Sequence, residues 1–304
     1  MGRALRYLAP NLITAGGIVL GLLSIEATCF GRYDAAAWFI LFAVMTDRLD
    51  GLAARLLKAS TDMGVQLDSL ADLITFGLAP ALLVYFSLAS SPELPFQDGG
   101  GRALLFAAAA IWVLAACFRL ARYNIRPADA NPKKPRIFFG VPTTLAAGVF
   151  AVWYLCLLKY SPDNGALMQI NTDEVRLLGS WHTPDKAWYG FPIYLFVGGF
   201  LMASNLRMPK LGLMRSKLAT IFVLTNVALC CGGTIVHMYP DYIVWPPTAW
   251  ILLFLVWGQV SPTARALEAP ALFPRTDPPA RELPFRPEDD MLEEEEMGDD
   301  DLVF

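Results

Sequence analysis

Charge and histidine are what this 304-residue chain has least of. Only 17% of its residues are charged, against 55% hydrophobic, and its two histidines, His182 and His237, stand far apart. That balance, with a mean hydropathy of +0.44, excludes an ordinary soluble domain and fits a polytopic membrane protein. The five cysteines, Cys29, Cys117, Cys156, Cys230 and Cys231, form no C-x-x-C pair and have no histidine at ligand spacing. A disulfide framework and a zinc site are therefore excluded, and the cysteines read as small apolar side chains. No nucleic-acid partner is expected.

What is present is a series of apolar runs. A span needs about 20 predominantly apolar residues, and eight candidates lie near 10–30, 35–57, 64–88, 103–123, 138–158, 188–205, 216–236 and 242–260. The first follows Arg3 and Arg6 but is long and lacks a small-residue cleavage site, so it is expected to be a retained span. The expected fold class is an all-α integral membrane protein. Loops rich in lysine and arginine alternate with poorer ones. Arg55 and Lys58, then Arg122 to Arg136, then Arg207 to Lys217 fall on the same side as the N-terminus. The positive-inside rule places that side, and both termini, in the cytoplasm.

Residues 1–261 are expected to form one membrane domain, and 262–304 a disordered tail, first rich in proline and then acidic. The net charge of −4 comes from that tail. Segment 281–304 holds eleven acids and two arginines, and the rest of the chain carries 22 basic against 17 acidic side chains.

One stretch conflicts with the apolar pattern. Residues 46–72, TDRLDGLAARLLKASTDMGVQLDSLAD, lie between two spans yet contain Asp47, Asp50, Asp62, Asp68 and Asp72. Carboxylates at membrane depth cost several kcal/mol. At about 100° per residue, Asp47, Asp50, Gly51, Ala54 and Arg55 share one helix face, and Gly64, Asp68 and Asp72 form a stripe on the next helix. Ser60, Thr61 or Asp62 can cap that second helix. A turn between the helices brings four acids to one point. Such a group must be protonated, paired with cations or bound to metal. Arg48 and Arg55 cannot neutralise four acids, whereas two hard divalent ions such as Mg²⁺ or Mn²⁺ suit them. Gly51, Ala54 and Gly64 leave room for a bulky polar ligand on the same faces.

The stretch has the form D-x2-D-G-x2-A-R-x8-G-x3-D-x3-D, with no departure at any fixed position. It resembles the signature of the CDP-alcohol phosphatidyltransferases, integral membrane enzymes with a six-helix catalytic core. The resemblance implies that core here, with about two extra C-terminal transmembrane helices. It implies that Asp47, Asp50, Asp68 and Asp72 ligate two divalent ions and that Asp72 is also the general base. Gly51, Ala54, Arg55 and Gly64 would hold the CDP moiety, joined by Asn11 and Thr14 from the opening APNLIT segment. Three further stretches, APNLITAGGIVLGLLSI, DSLADLITFGLAPALLVY and CFRLARYNI with RIFFGVPTTLAAG, resemble the serine-transferring bacterial branch. The resemblance covers residues 8–150, about half the chain. That branch usually continues Pro-Ser-Pro-Ala-Ala where this chain has Pro142, Thr143, Thr144, Leu145 and Ala146.

The implied reaction joins CDP-diacylglycerol and L-serine to give phosphatidylserine and CMP in the bacterial inner membrane, with the site on its cytoplasmic side and the enzyme a homodimer. Arg119, Arg122, Asn124, Phe139 and Gly140 are candidates to bind the acceptor. Choline, inositol phosphate or glycerol phosphate is the alternative acceptor. An ion-coupled transporter is the remoter alternative; it would spread its acids over several helices rather than cluster them on two.

Overall fold

A computed structural model of the chain describes residues 3–57, 61–124, 137–162, 165–167, 176, 178–209, 225, 228, 230–235, 241 and 244–266, all within one compact unit, Met1–Pro270. Side chains 3–9, 52, 54–56, 62 and 263 lie outside the described set. Most of the described residues are helical. α1 (Arg3–Cys29) and α2 (Tyr33–Leu57) form a tight hairpin. Gly31 turns it at φ 72°, a left-handed conformation that suits glycine, and the Arg32 amide closes on the Ala27 carbonyl at 2.8 Å. The hairpin brings the start of α1 beside the end of α2.

α3 (Asp62–Asp72) begins at Thr61, the one of the three candidate caps that the fold uses; its hydroxyl accepts from the Gly64 amide at 3.0 Å. α3 runs through a π-helical turn, Leu73–Leu78, into α4 (Ala79–Ala89), so the third span is continuous but not uniformly α-helical. The freed Phe76 carbonyl accepts from Trp112 Nε1 at 3.0 Å, and Thr75 Oγ1 donates to the Gly17 carbonyl at 3.2 Å. α1 passes so close here that a Cβ on Gly21 would lie 2.7 Å from Thr75 Oγ1.

α5 (Gly99–Asn124), α6 (Thr143–Lys159) and α7 (Gly190–Ala203) complete the bundle, followed by α8 (Trp245–Val260) and the short turn α9 (Pro262–Arg265). α1 packs along α2, α5 along α7, and α2 against α6. Among the described residues, three helical stretches are long and apolar enough to cross a membrane: Pro10–Cys29, Met63–Ala89 and Gly99–Asn124. α6 is a shorter apolar helix. The span expected at 138–158 differs from its prediction. Its first residues form β1 (Ile137–Phe139), which pairs antiparallel with β2 (Arg207–Pro209), and the helix starts only at Thr143. Pro142 explains the late start, because it fixes its own φ and has no amide to donate. Most of the span expected at 216–236 lies outside the described residues, as does everything after Ala266. Ala264 is buried, so ordered packing runs a few residues past position 261.

Candidate active site

Asp47 and Asp50 come from the last turns of α2, and Asp68 and Asp72 from α3. The hairpin and the α3 cap put both stripes at the same end of the bundle. The four carboxylates line one cleft with Thr14, Gly17, Thr46, Thr75 and Phe76. One oxygen each from Asp47, Asp50 and Asp68 lies within 4.8 Å of the other two. Asp72 and Thr144 lie beside Asp47. Asp50 is buried, and the other three are partly buried.

This donor set fits a hard divalent cation. Metal–oxygen bonds of about 2.0–2.6 Å put two ligands of one ion at most about 5 Å apart, which the 4.8 Å spread meets. Among the described residues all the charged donors are carboxylates, and no histidine or cysteine joins them, which favours an oxygen-loving ion over zinc or copper. The cluster can therefore hold a metal ion.

The residues expected to hold CDP divide into two groups. Thr14 lines the cleft with the acids, and Asn11 and Gly64 meet each other where α1 approaches α3. Thr14 Oγ1 lies 2.9 Å from Asp50 Oδ2 and 3.1 Å from the Pro10 carbonyl; having one proton, it donates to one at a time. A Cβ on Gly64 would stand 3.0 Å from Thr61 Oγ1 and 3.2 Å from Asn11 Oδ1, so α1 and α3 meet closely there. A Cβ on Gly51 would meet nothing within 4 Å, and Gly51 is not among the residues that line the cleft. Ala54 and Arg55 lie on α2, with side chains outside the described residues.

The expected acceptor residues are not one cluster. Arg119 is buried and close to Asp72 and Asp47. Asn124 instead ties the end of α5 to α3, donating to Ser69 Oγ at 2.9 Å and to Gln66 Oε1 at 3.3 Å. Phe139 and Gly140 belong to the strand ribbon. Gly140 has φ 81°, its amide donates to the Leu206 carbonyl at 2.8 Å, and a Cβ there would come within 2.3 Å of the Met202 carbonyl. Arg122 reaches the same ribbon. Thr46 and Thr75 line the cleft beyond the residues expected there, although Thr46 precedes Asp47 and Thr75 follows Asp72 by about one helical turn; Thr143 and Thr144, which in sequence stand out only as a departure from Pro-Ser-Pro-Ala-Ala, lie beside Arg119 and Asp47.

Known sequences decide the family. The CDP-alcohol phosphatidyltransferase model matches residues 7–176, more than half of the chain. This protein belongs to the CDP-alcohol phosphatidyltransferase family. It is similar to the CDP-diacylglycerol–serine O-phosphatidyltransferase of Helicobacter pylori strain J99, at 32% identity over 73% of this chain and 80% of the relative. The Bacillus subtilis protein of the same name is 36% identical over 54% of this chain and 81% of the relative. The one from Saccharomyces cerevisiae is 39% identical over 36% of this chain and 38% of the relative. Membership, together with the three apolar helices, makes this phosphatidyltransferase an integral membrane protein. Its family match ends before α7, β2 and α8.

Proposed function

We propose that this phosphatidyltransferase makes phosphatidylserine, transferring the phosphatidyl group of CDP-diacylglycerol to the hydroxyl of L-serine and releasing CMP. The observation that carries the chemistry is the gathering of four carboxylates from the D-x2-D-G and G-x3-D-x3-D halves of the motif into one cleft. The serine acceptor is supported by the names of the relatives.

Asp47, Asp50, Asp68 and Asp72 would hold two divalent ions, Mg²⁺ or Mn²⁺. Bound there, the ions supply charge neutralisation of the diphosphate and polarisation of its phosphorus. Asn11, Thr14, Gly51, Ala54, Arg55 and Gly64 bind the CDP moiety, the glycines by letting it approach the helix backbones. Asp72 takes the proton from the serine hydroxyl as that oxygen attacks the phosphorus bearing diacylglycerol. The bond from that phosphorus to the bridging oxygen breaks, and CMP leaves. The acceptor enters at the ends of α5 and α6, where Arg119 lies. The charge of the loops supports a cytoplasmic site, with both termini on that side of a bacterial inner membrane. The family resemblance supports a homodimer.

An acceptor screen tests the assignment. Purified protein with CDP-diacylglycerol and Mn²⁺ should release CMP with L-serine and far less with choline, inositol phosphate or glycerol phosphate. A better rate with any of these would overturn serine and leave the transferase standing.

A further inference from the structure

The CFRLARYN segment carries two arginines one helical turn apart, and the fold uses them differently. Arg122 Nη1 donates to the Ala203 carbonyl at 3.1 Å and to Asn205 Oδ1 at 2.9 Å. Its Nη2 donates to the carbonyls of Phe139 at 3.3 Å and Ser204 at 3.0 Å. The guanidinium also sits 5.5 Å from the Phe118 ring centroid. Arg122 therefore fastens the end of α7 to the strand ribbon. α8 backs the same ribbon: a Cβ on Gly258 would fall 1.6 Å from the Arg207 carbonyl, and Gln259 Nε2 donates to that carbonyl at 3.2 Å.

Arg119 has different surroundings. It is 9% exposed. Its Nη1 donates to Thr143 Oγ1 at 2.9 Å, and its Nε has no hydrogen-bond partner among the described residues. Asp72 and Asp47 are near it. A guanidinium has five N–H donors, and leaving buried donors unfilled is costly. Thr143 is also the first residue of α6, whose N-cap is Pro142 with no side-chain cap. Proline offers no side-chain acceptor, and the first-turn amides of a helix favour an anion. Two independent features thus meet at Thr143: a buried arginine with a spare donor and an open helix N-terminus.

We propose that Arg119 and the uncapped first turn of α6 together bind the carboxylate of the acceptor alcohol, and that Arg122 is a positioning residue that holds the ribbon from which α6 starts. This rests on the serine reading above. An amino acid held there by its carboxylate has its hydroxyl a short side chain away, on the Asp72 side. Choline and ethanolamine have no group to fill this receptor. The ribbon, reaching into α7 and α8, makes the part of the chain beyond the family match a contributor to acceptor choice.

The test compares full-length wild type, Arg119→Lys, Arg119→Gln and Arg122→Lys, with serine and ethanolamine as acceptors and Mn²⁺ binding followed by electron paramagnetic resonance. Arg119→Lys keeps the charge but loses the fork, and should raise the serine KM at least about tenfold, or roughly 1.4 kcal/mol. Arg119→Gln should cut the serine-to-ethanolamine ratio of kcat/KM by about tenfold or more while Mn²⁺ affinity stays within about twofold. Arg122→Lys should lower thermal stability and total turnover but keep that ratio within about twofold. An unchanged ratio in Arg119→Gln, or a collapsed ratio in Arg122→Lys, overturns the proposal. If Arg119→Gln does not fold, Thr143→Val, which removes only the hydroxyl holding the guanidinium, must lower the ratio; an unchanged ratio again overturns it. Wild type that uses serine while Arg119 leaves the ratio untouched refutes the receptor alone. Wild type that ignores serine and uses glycerol phosphate or inositol phosphate refutes the serine reading and the receptor with it.

Discussion

The two ends of α6 each meet buried charge, about 24 Å apart along the helix axis. At its C-terminal end Lys159 Nζ lies 2.7 Å from Asp241 Oδ2, with side chains 1% and 3% exposed. The Tyr160 hydroxyl donates to the same oxygen at 2.7 Å and accepts from the Leu178 amide at 3.0 Å. Positive and negative charge balance, and the group ties the end of α6 to Asp241, four residues before α8. At the N-terminal end Thr144 meets Asp47 within a group of four carboxylates. There negative charge is in excess, because Arg48 and Arg119 are too few to balance four carboxylates. Burial alone does not distinguish scaffold from function in this protein. The local sum of charge does: a complete pair has no use for a ligand, and a group of four acids calls for cations.

Breaking the acidic side of this comparison should have the largest effect. Asp→Asn at 47, 50, 68 or 72 keeps the shape and removes one charge, and each change should lower CMP release at least about a hundredfold. Treatment with EDTA should abolish release, and added Mn²⁺ or Mg²⁺ should restore it; near-normal turnover after chelation would refute the metal reading. The paired side should respond in stability instead. Lys159→Met leaves Asp241 buried without its cation, which should cost about 3–5 kcal/mol, seen as a lower midpoint in thermal unfolding of the detergent-solubilised protein. Mn²⁺ affinity, measured below that midpoint, should match wild type, and a matching loss of Mn²⁺ affinity would show that the two ends are coupled. The smallest effect is expected from truncation after residue 265. The acidic segment has no apolar face to bury, so unfolding midpoint and serine turnover should both stay unchanged at equal protein level.

The acids were legible in the sequence because helical periodicity is local: a three-residue spacing on one helix and a four-residue spacing on the next are enough to predict a common cleft. The same reasoning offered three caps for α3, and the fold uses Thr61. What the sequence hid depends on distant partners. Lys159 and Asp241 are 82 residues apart, and Arg122 finds three of its four acceptors more than 80 residues away at Ala203, Ser204 and Asn205. β1 and β2 are three residues each, too short for an alternating pattern to stand out inside an apolar run. Arg119 and Arg122 looked alike in sequence because both are basic residues at a span end. Only their hydrogen bonds separate them.

The π-helical turn below Asp72 has a consequence for how this span can change over time. Each added residue in a helix advances side-chain direction by about 100°, and a π turn takes up one residue more than an α turn. Thr75, Phe76 and Gly77 are consequently buried in succession. The segment bearing Asp68 and Asp72 and the segment Ala79–Ala89 therefore keep separate angular phases, each set by its own neighbours. Trp112 and Gly17 stabilise the junction through the hydrogen bonds at Phe76 and Thr75. A one-residue deletion inside Leu73–Leu78 would bring the two halves into step and swing one of them off its partners. The same deletion in the loop before α5 would leave the aim of the acids untouched. The third span is thus two independently clocked pieces, and the mostly buried Ala79–Ala89 half can be repacked against its own neighbours without turning the carboxylates out of the cleft.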